Sequence, residues 1–257
     1  MPTAEAGRVA AARCWFREQG RAPVRRDGVT AVVTPAHRAT WEAKWLQAGP
    51  EADVPAVFAM LNRHFAHGWQ VVIVDALTPP AVEAALALAG FTAEVTVVEM
   101  LADSIVRRND VPPVTIKPVD DAQWNRLAAL VDADHREGKR TGKVDPAVAA
   151  GLLDGMRRRS GPCRYWLLTD AGADLGYGMT AICPNGLGLI EELFTLPQHR
   201  GRGLMSAFIG NAASRLRAEG CDAVFLDAHV DDTPKHLYAR LGFRPVALTR
   251  TWVRHQG

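Results

Sequence analysis

The chain has 257 residues, of which 48% are hydrophobic and 23% charged, with a formal charge of +2. That composition belongs to a folded globular protein of one large or two modest domains, and so mild a charge gives no argument for nucleic acid as a partner. Cys14, Cys163, Cys183 and Cys221 are scattered and show no metal-like spacing with histidine, so reduced thiols and no bound metal are expected. No apolar run approaches the ~18 residues of a membrane span, and the charged N-terminal stretch lacks a secretory core; a cytoplasmic setting away from membranes is expected.

In chain order, "WLQAGPEADVPAVF" (45–58) reads as a turn running into a helix, with Glu51 and Asp53 at the helix entry. Those acids suit the helix dipole but would repel a phosphate. Next, "HGWQVVIVDALTPPAVEAALALAGF" (67–91) reads as a buried strand, a turn, a short helix and a glycine stop. It aligns without a gap on "EGCDAVFLDAHVDDTPKHLYARLGF" (219–243), placing Gly68 on Gly220, Asp75 on Asp227, Gly90 on Gly242 and Phe91 on Phe243. The same register extended backwards sets Arg63 on Arg215, Gly49 on Gly201, Glu51 on Gly203 and Leu46 on Gln198. A tandem duplication is the reading. Residues 103–113, "DSIVRRNDVPP", break the apolar pattern and read as a linker.

Beyond it, Val114–Lys117 reads as a strand, with Asp120 or Asp121 capping a helix that carries Trp124, Leu127 and Val131 at helical spacing. A polar loop, Asp132–Lys143, then leads to an Asp145-Pro146 helix start and a second helix with Val148, Leu152 and Met156 on one face. Three strand-like runs follow, "CRYWLLT", "LGYGMTAIC" and "LGLIEELFTL". The turn after the second contains Asn185-Gly186, a pair in which both residues accept positive φ. The remainder reads as a glycine-rich turn, a helix over about 203–219, a strand over 223–229, a helix over 233–241 and a strand over 244–253. The class is mixed α/β.

The turn "LPQHRGRGLM" joins a strand directly to a helix. First-turn amides without intrahelical partners, the helix dipole and a glycine-lined approach make such a junction an anion site, and Arg200 and Arg202 can add charge. Gln198-x-x-Gly201-x-Gly203 resembles the acyl-coenzyme A signature Q/R-x-x-G-x-G/A of the GNAT superfamily of acetyltransferases. Met205 departs from it, standing where many members have a third small residue. The strand Ile190–Thr195 is similar to that family's central strand, and "LYARLGF" (237–243) to its later motif; the likeness covers roughly 114–253.

This resemblance implies two GNAT-like domains, each a mostly antiparallel central sheet flanked by helices. Residues 1–102 would be a degenerate copy without a coenzyme A loop, and 114–257 the catalytic N-acetyltransferase. It implies acetyl-CoA as cosubstrate and direct attack of an amine on the thioester. Main-chain groups of Leu193, Phe194, Thr195 and Leu196 would hold the pantetheine. Gln198, His199, Arg200, Gly201, Arg202, Gly203, Leu204 and Met205 would hold the diphosphate. Asp231 falls where the family commonly has an asparagine; ionised, it accepts but does not donate hydrogen bonds. Glu191 is the first choice of base and Glu192 the second, their side chains expected on opposite faces of the strand. Tyr238 matches the tyrosine that protonates the leaving thiolate, and His229 is a weaker candidate for the same cleft. His135, Arg136 and Glu137 are candidates for selecting the acceptor.

In the N-terminal copy the tyrosine position is Leu86 and the strand acids have no counterpart, Trp41 and Lys44 falling in that region. The acceptor is expected to be a small-molecule or peptide amine, and a homodimer is left open. Two other readings stand beside this one: an acyl-CoA sensor without turnover, and an acyltransferase using another acyl-CoA or a hydroxyl or thiol acceptor.

Overall fold

The computed structural model describes residues 2–34, 44–66, 68–106, 114–138 and 146–256. Trp41, positions 107–113 of the expected linker, positions 139–143 of the expected polar loop and the Asp145 cap lie outside the described residues.

The first elements are α1 (Ala4–Glu18), β1 (Val24–Arg26), β2 (Val29–Val33), β3 (Lys44–Ala48), α2 (Val54–His64), β4 (Gly68–Val74), α3 (Pro80–Leu88) and β5 (Thr92–Ala102). They are followed by β6 (Thr115–Pro118), α4 (Trp124–Gly138), α5 (Pro146–Arg159), β7 (Cys163–Asp170), β8 (Ala173–Ile182), β9 (Leu187–Thr195) and a 3₁₀ turn, Pro197–His199. The chain ends with α6 (Leu204–Ala218), β10 (Ala223–His229), α7 (Pro234–Arg240) and β11 (Arg244–Gln256). By contacts these form two units. Unit 1 holds Met1–Glu99, Asp227–Asp232 and Pro245–Gly257; unit 2 holds Met100–Leu226 and Thr233–Arg244. Each is a mostly antiparallel sheet flanked by helices.

In unit 1 the strands run β1-β2-β3-β4-β11-β5, and only β3 with β4 is parallel among the pairings of β1 to β4 and β11. The last strand thus pairs with the N-terminal segment, Arg250 opposite Val74 through Gln256 opposite Gly68. Leu46, Val57, Leu61, Phe65, Val72 and Leu86 form its core. Asp53 caps α2 by accepting from the Ala56 amide at 2.8 Å, the use the acidic entry predicts.

In unit 2 the order is β6-β7-β8-β9-β10, antiparallel except for β9 with β10. Asp120 caps the start of α4, accepting from the amides of Ala122 (2.9 Å) and Gln123 (3.3 Å), while Gln123 Oε1 accepts from the Asp120 amide at 3.0 Å. This reciprocal arrangement is a capping box. One expectation is corrected here: Asp132–Gly138 is not loop but the end of α4. Polar composition misled because Asp132 and Arg136 stand one turn apart and form an ion pair that suits an exposed helix face. The hairpin reading changes too. At Asn185-Gly186 only Gly186 takes positive φ (+81°), its amide donating to Cys183 C=O at 3.0 Å in a turn centred on Pro184-Asn185. Two-residue turns with both φ positive are found instead at Ala171-Gly172 (+46° and +86°), between β7 and β8, and at Asp27-Gly28 (+48° and +75°), between β1 and β2.

The repeat is visible in backbone detail. Gly68 and Gly220 both have positive φ, as do Gly90 (+80°) and Gly242 (+100°). Phe91 N–H donates to Leu86 C=O at 3.1 Å, as Phe243 N–H does to Tyr238 C=O at 3.0 Å. The ungapped register fails before α2, however. Leu46 pairs with Val72 as Gly188 pairs with Val224, so 26 positions separate the partners in unit 1 and 36 in unit 2. Leu46 therefore corresponds to Gly188 and not to Gln198, and Gly49 does not share the positive φ of Gly201. Ten residues that carry the far half of β9 and the following turn have no equivalent in unit 1.

No helix among the described residues is long and apolar enough to cross a membrane. None of the four cysteines is in a disulfide.

Candidate active site

The site grows from an irregularity between β8 and β9. Met179 stands opposite Glu191, but Tyr177 stands opposite Phe194, so Gly178 faces both Glu192 and Leu193. This is a β-bulge, and Glu192 takes the left-handed conformation at φ +54° that it requires. Residues directly opposite in a sheet share a face, which puts Glu191, Met179, Tyr177 and Phe194 on one side. Glu192 reaches that side as well, accepting a hydrogen bond from Arg159 at the end of α5. The expectation that the two acids point to opposite faces is therefore corrected: the bulge cancels the strand alternation. Gly178 belongs to the other side, where a Cβ would lie 2.4 Å from the Phe208 ring of α6.

Around the acids the surface is largely buried. Arg159 and Tyr165 are 5% and 2% exposed. Burial pushes the Cys163 thiol up to about 12; Arg159 pulls it down and Glu192 and Glu191 push it further up. At neutral pH it is a thiol and no nucleophile. Tyr177 Oη donates to Asp134 Oδ2 of α4 at 2.6 Å, and its ring lies 5.7 Å from that of Phe194. Burial raises the Tyr177 hydroxyl well above the ordinary range, with Asp134, Glu192 and Tyr165 adding to the effect.

β9 and β10 pair only from Leu187–Ala223 to Leu189–Phe225. The register of the two strands does not continue past Leu189 and Phe225. The turn that follows leads directly into α6. Gly201 (φ +74°) and Gly203 (φ +78°) both need the left-handed region, and Gly203 is the N-cap of α6 with no side chain to occupy the first-turn amides. Both expected phosphate arginines have protein partners in this structure. Arg200 donates to Thr195 C=O (3.0 Å) and to both oxygens of Glu137 (2.5 and 2.6 Å). Arg202 contacts His199 Nδ1 at 3.2 Å and Asp170 at 3.8 Å. Gln198 is exposed, while Leu204 is buried and Met205 half-buried in the first turn of α6.

Tyr238 is buried on α7, its ring edge-on to Phe243 at 6.3 Å. His229 and Asp231 are exposed at the end of β10 and in the turn after it. Of the acceptor candidates, Glu137 joins Arg200, whereas Arg136 turns to Asp132. Three residues escaped the sequence reading: Asp134, Arg159 and Tyr177. A signal for the first two was present. Asp134 continues the Leu127–Val131 stripe of α4, and Arg159 continues the Leu152–Met156 stripe of α5, so both polar residues occupy core-facing positions. Among the described residues no three His, Cys, Asp or Glu side chains converge as a metal site.

Residues 124–243 match the model of the Acetyltransferase (GNAT) family. No curated protein matches the chain. Among solved structures, a GCN5-related N-acetyltransferase from Kribbella flavida superposes with a TM-score of 0.69 at 18% identity, covering 100% of this chain and 97% of that one. A second, from Sphaerobacter thermophilus, gives 0.56 at 13% identity over 88% of this chain and 75% of that one. A tandem GNAT protein from the clavulanic acid biosynthesis pathway gives 0.55 at 16% identity over 79% and 70%. The family match supports an acyl-CoA-dependent acetyltransferase in general terms. The chain is GNAT-like in fold, and the segment that bears the bulged strand, the glycine turn and Tyr238 is the one matched by the GNAT acetyltransferase family.

Proposed function

We propose that unit 2 transfers an acetyl group from acetyl-CoA to an amine by direct attack on the thioester. The observation that carries this reading is β9 running straight into a double-glycine turn and an N-terminus of α6 that no side chain caps. The turn fits a diphosphate: a Cβ on Gly201 would meet nothing within 4 Å, so the backbone is open to close approach. Amides from Gly201 to Met205 hold the diphosphate, the Arg200 amide being given to Pro197 C=O; Gln198 and His199 flank it, and main-chain groups of Leu193–Thr195 hold the pantetheine and polarise the thioester carbonyl, the Leu196 amide being given to Leu175 C=O. The amine nitrogen forms the new bond to the carbonyl carbon, the C–S bond breaks, and the leaving thiolate takes a proton. Glu191 is the first choice of base and Glu192, which accepts from Arg159, the second; Tyr238 is the acid.

In this reading 114–257 is the catalytic segment, and 1–102 keeps the architecture without coenzyme A, in line with the ten missing residues. Asp231 contributes at most an accepting contact. The acceptor is a small-molecule or peptide amine in the cytoplasm.

The test is release of free thiol from acetyl-CoA in the presence of an amine panel, alongside calorimetric titration with coenzyme A. Turnover with one coenzyme A per chain is expected. Glu191→Gln lowers kcat/KM by about 10²-fold or more, and Tyr238→Phe slows thiol release. Binding without thiol release across the panel makes the protein a sensor, and two equivalents per chain overturn the silent N-terminal copy.

A further inference from the structure

On the face of the sheet away from Glu191 and Glu192, the last turns of α6 leave a cavity of about 240 Å³ against β7 and β8. Trp166 stands opposite Gly178 and Arg164 opposite Thr180, so these side chains share the face that Phe208 of α6 covers. Trp166 and Ile182 form the floor, and Pro162 and Leu216 add apolar walls. The polar edge of the indole is already satisfied, because Trp166 Nε1 donates to Thr180 Oγ1 at 2.8 Å. Ile182 is 37% exposed, so apolar surface remains there for a ligand body to cover.

Three charged residues stand at the rim, and two of them cancel: Arg164 donates to Glu219 Oε1 at 2.6 Å. The third is Arg215. Its guanidinium lies 5.0 Å over the Trp166 ring, and its Nε donates to Asn211 Oδ1 at 2.7 Å. Stacking and hydrogen bond together fix the plane of the fork, while no acceptor among the described residues takes up its two terminal nitrogens. On an open surface such an arginine is simply hydrated; here it is held at the mouth of an apolar cavity. The carbonyl end of α6 would oppose an anion, but Arg215 C=O and Leu216 C=O are engaged by the Glu219 and Cys221 amides at 2.9 and 3.0 Å.

A rigid guanidinium fork takes a planar anion in two-pronged fashion, and an apolar floor selects one with a hydrocarbon body. The volume falls below the ~300 Å³ at which pockets for drug-sized ligands begin, which suits a small metabolite and not a nucleotide. With Glu219 paired to Arg164, the rim offers no carboxylate to hold an ammonium, which disfavours an amino acid. We infer that this cavity is a second ligand site, binding a small monocarboxylate with its carboxylate on Arg215 and its hydrocarbon body on Trp166 and Ile182. The site lies across the sheet from the two acids and is independent of the transfer reading.

Calorimetric titration of the full chain with hexanoate, its neutral amide and norleucine tests the assignment. Hexanoate binds with one equivalent per chain, and the amide and norleucine bind about tenfold more weakly or worse. Arg215→Gln weakens hexanoate by a similar factor and leaves the amide unchanged. Gly161→Leu fills the cavity and removes binding of both: Gly161 lines it, a Cβ there would meet nothing within 4 Å, and its φ is outside the left-handed region. An unchanged melting temperature in each variant shows that the loss is local. No heat from hexanoate at millimolar concentration overturns the inference. So does an amide or norleucine that binds as tightly as the acid, or hexanoate binding that survives Gly161→Leu.

Discussion

At Glu192 a single backbone torsion rearranges the chemistry available to unit 2. A non-glycine residue at positive φ costs on the order of 1–3 kcal/mol and persists only where its surroundings hold it; here the side chain is anchored to Arg159. The gain is that two consecutive acids share one face, which a regular strand forbids. Across the ladder the bulge depends on Gly178. A Cβ at that position would lie 2.4 and 2.6 Å from two Phe208 ring carbons and 3.1 Å from Leu193 Cδ2. Gly178→Ala is therefore expected to destabilise the protein by about 1–3 kcal/mol, read as a lower denaturation midpoint in urea. An unchanged midpoint would show that Phe208 can move aside at no cost. Glycine at 178 was visible as a letter, but its reason was not: it lies in a ring contributed by α6, thirty residues further on.

Among the elements, those with strong local signals match their sequence readings. The capping residues Asp53 and Asp120 act through atoms three residues away or nearer, and no tertiary context is needed to place them. Asp53→Ala is expected to cost about 1 kcal/mol, measurable as a small fall in melting temperature, because the Ala56 amide loses its acceptor. α4 is the contrary case. Its last two turns read as loop because charged residues dominate Asp132–Gly138, yet they continue the period of Leu127 and Val131. Periodicity was the better guide there, and composition the worse one. The glycine-rich turn and the start of α6 were legible as a unit from "LPQHRGRGLM"; the 3₁₀ turn Pro197–His199 and the left-handed backbone of both glycines were not. The capture of Arg200 by Glu137 was not, since the partners are 63 residues apart.

At the scale of the molecule, unit 1 is held by a buried polar network assembled from both ends of the chain. Arg13 of α1 contacts Glu99 Oε2 at 2.9 Å and Asp227 Oδ2 at 3.1 Å, while Thr249 donates to Glu99 Oε1 at 3.0 Å. Beside it Gln47 donates to Asp75 Oδ2 at 2.5 Å. The two aspartates are the pair that the repeat superposes. Burial raises Asp75 above the ordinary carboxylate range, against the Leu77 amide, Arg17 and Thr78, which pull it down. A raised folded value means the unfolded chain releases its proton first. The stability Asp75 contributes is thus full in acid and is lost as pH climbs from the ordinary carboxylate value to its own. Asp75→Asn should flatten melting temperature against pH across that window; the wild-type slope persisting in the variant would place the effect elsewhere.

By itself the sequence determined the fold class, the tandem repeat from β4 onward, the capped helices and the glycine turn, because each is written in local periodicity or in residues close along the chain. Tertiary structure alone decided three things. The ten-residue shortening before α2 emerged only from matching strand pairs, since an ungapped alignment has no means of detecting it. The shared face of Glu191 and Glu192 depends on hydrogen bonding to a neighbouring strand. The Asp134–Tyr177 and Arg200–Glu137 contacts join segments that nothing local relates. Local patterns set which elements form; which side chains meet is set by how those elements pack.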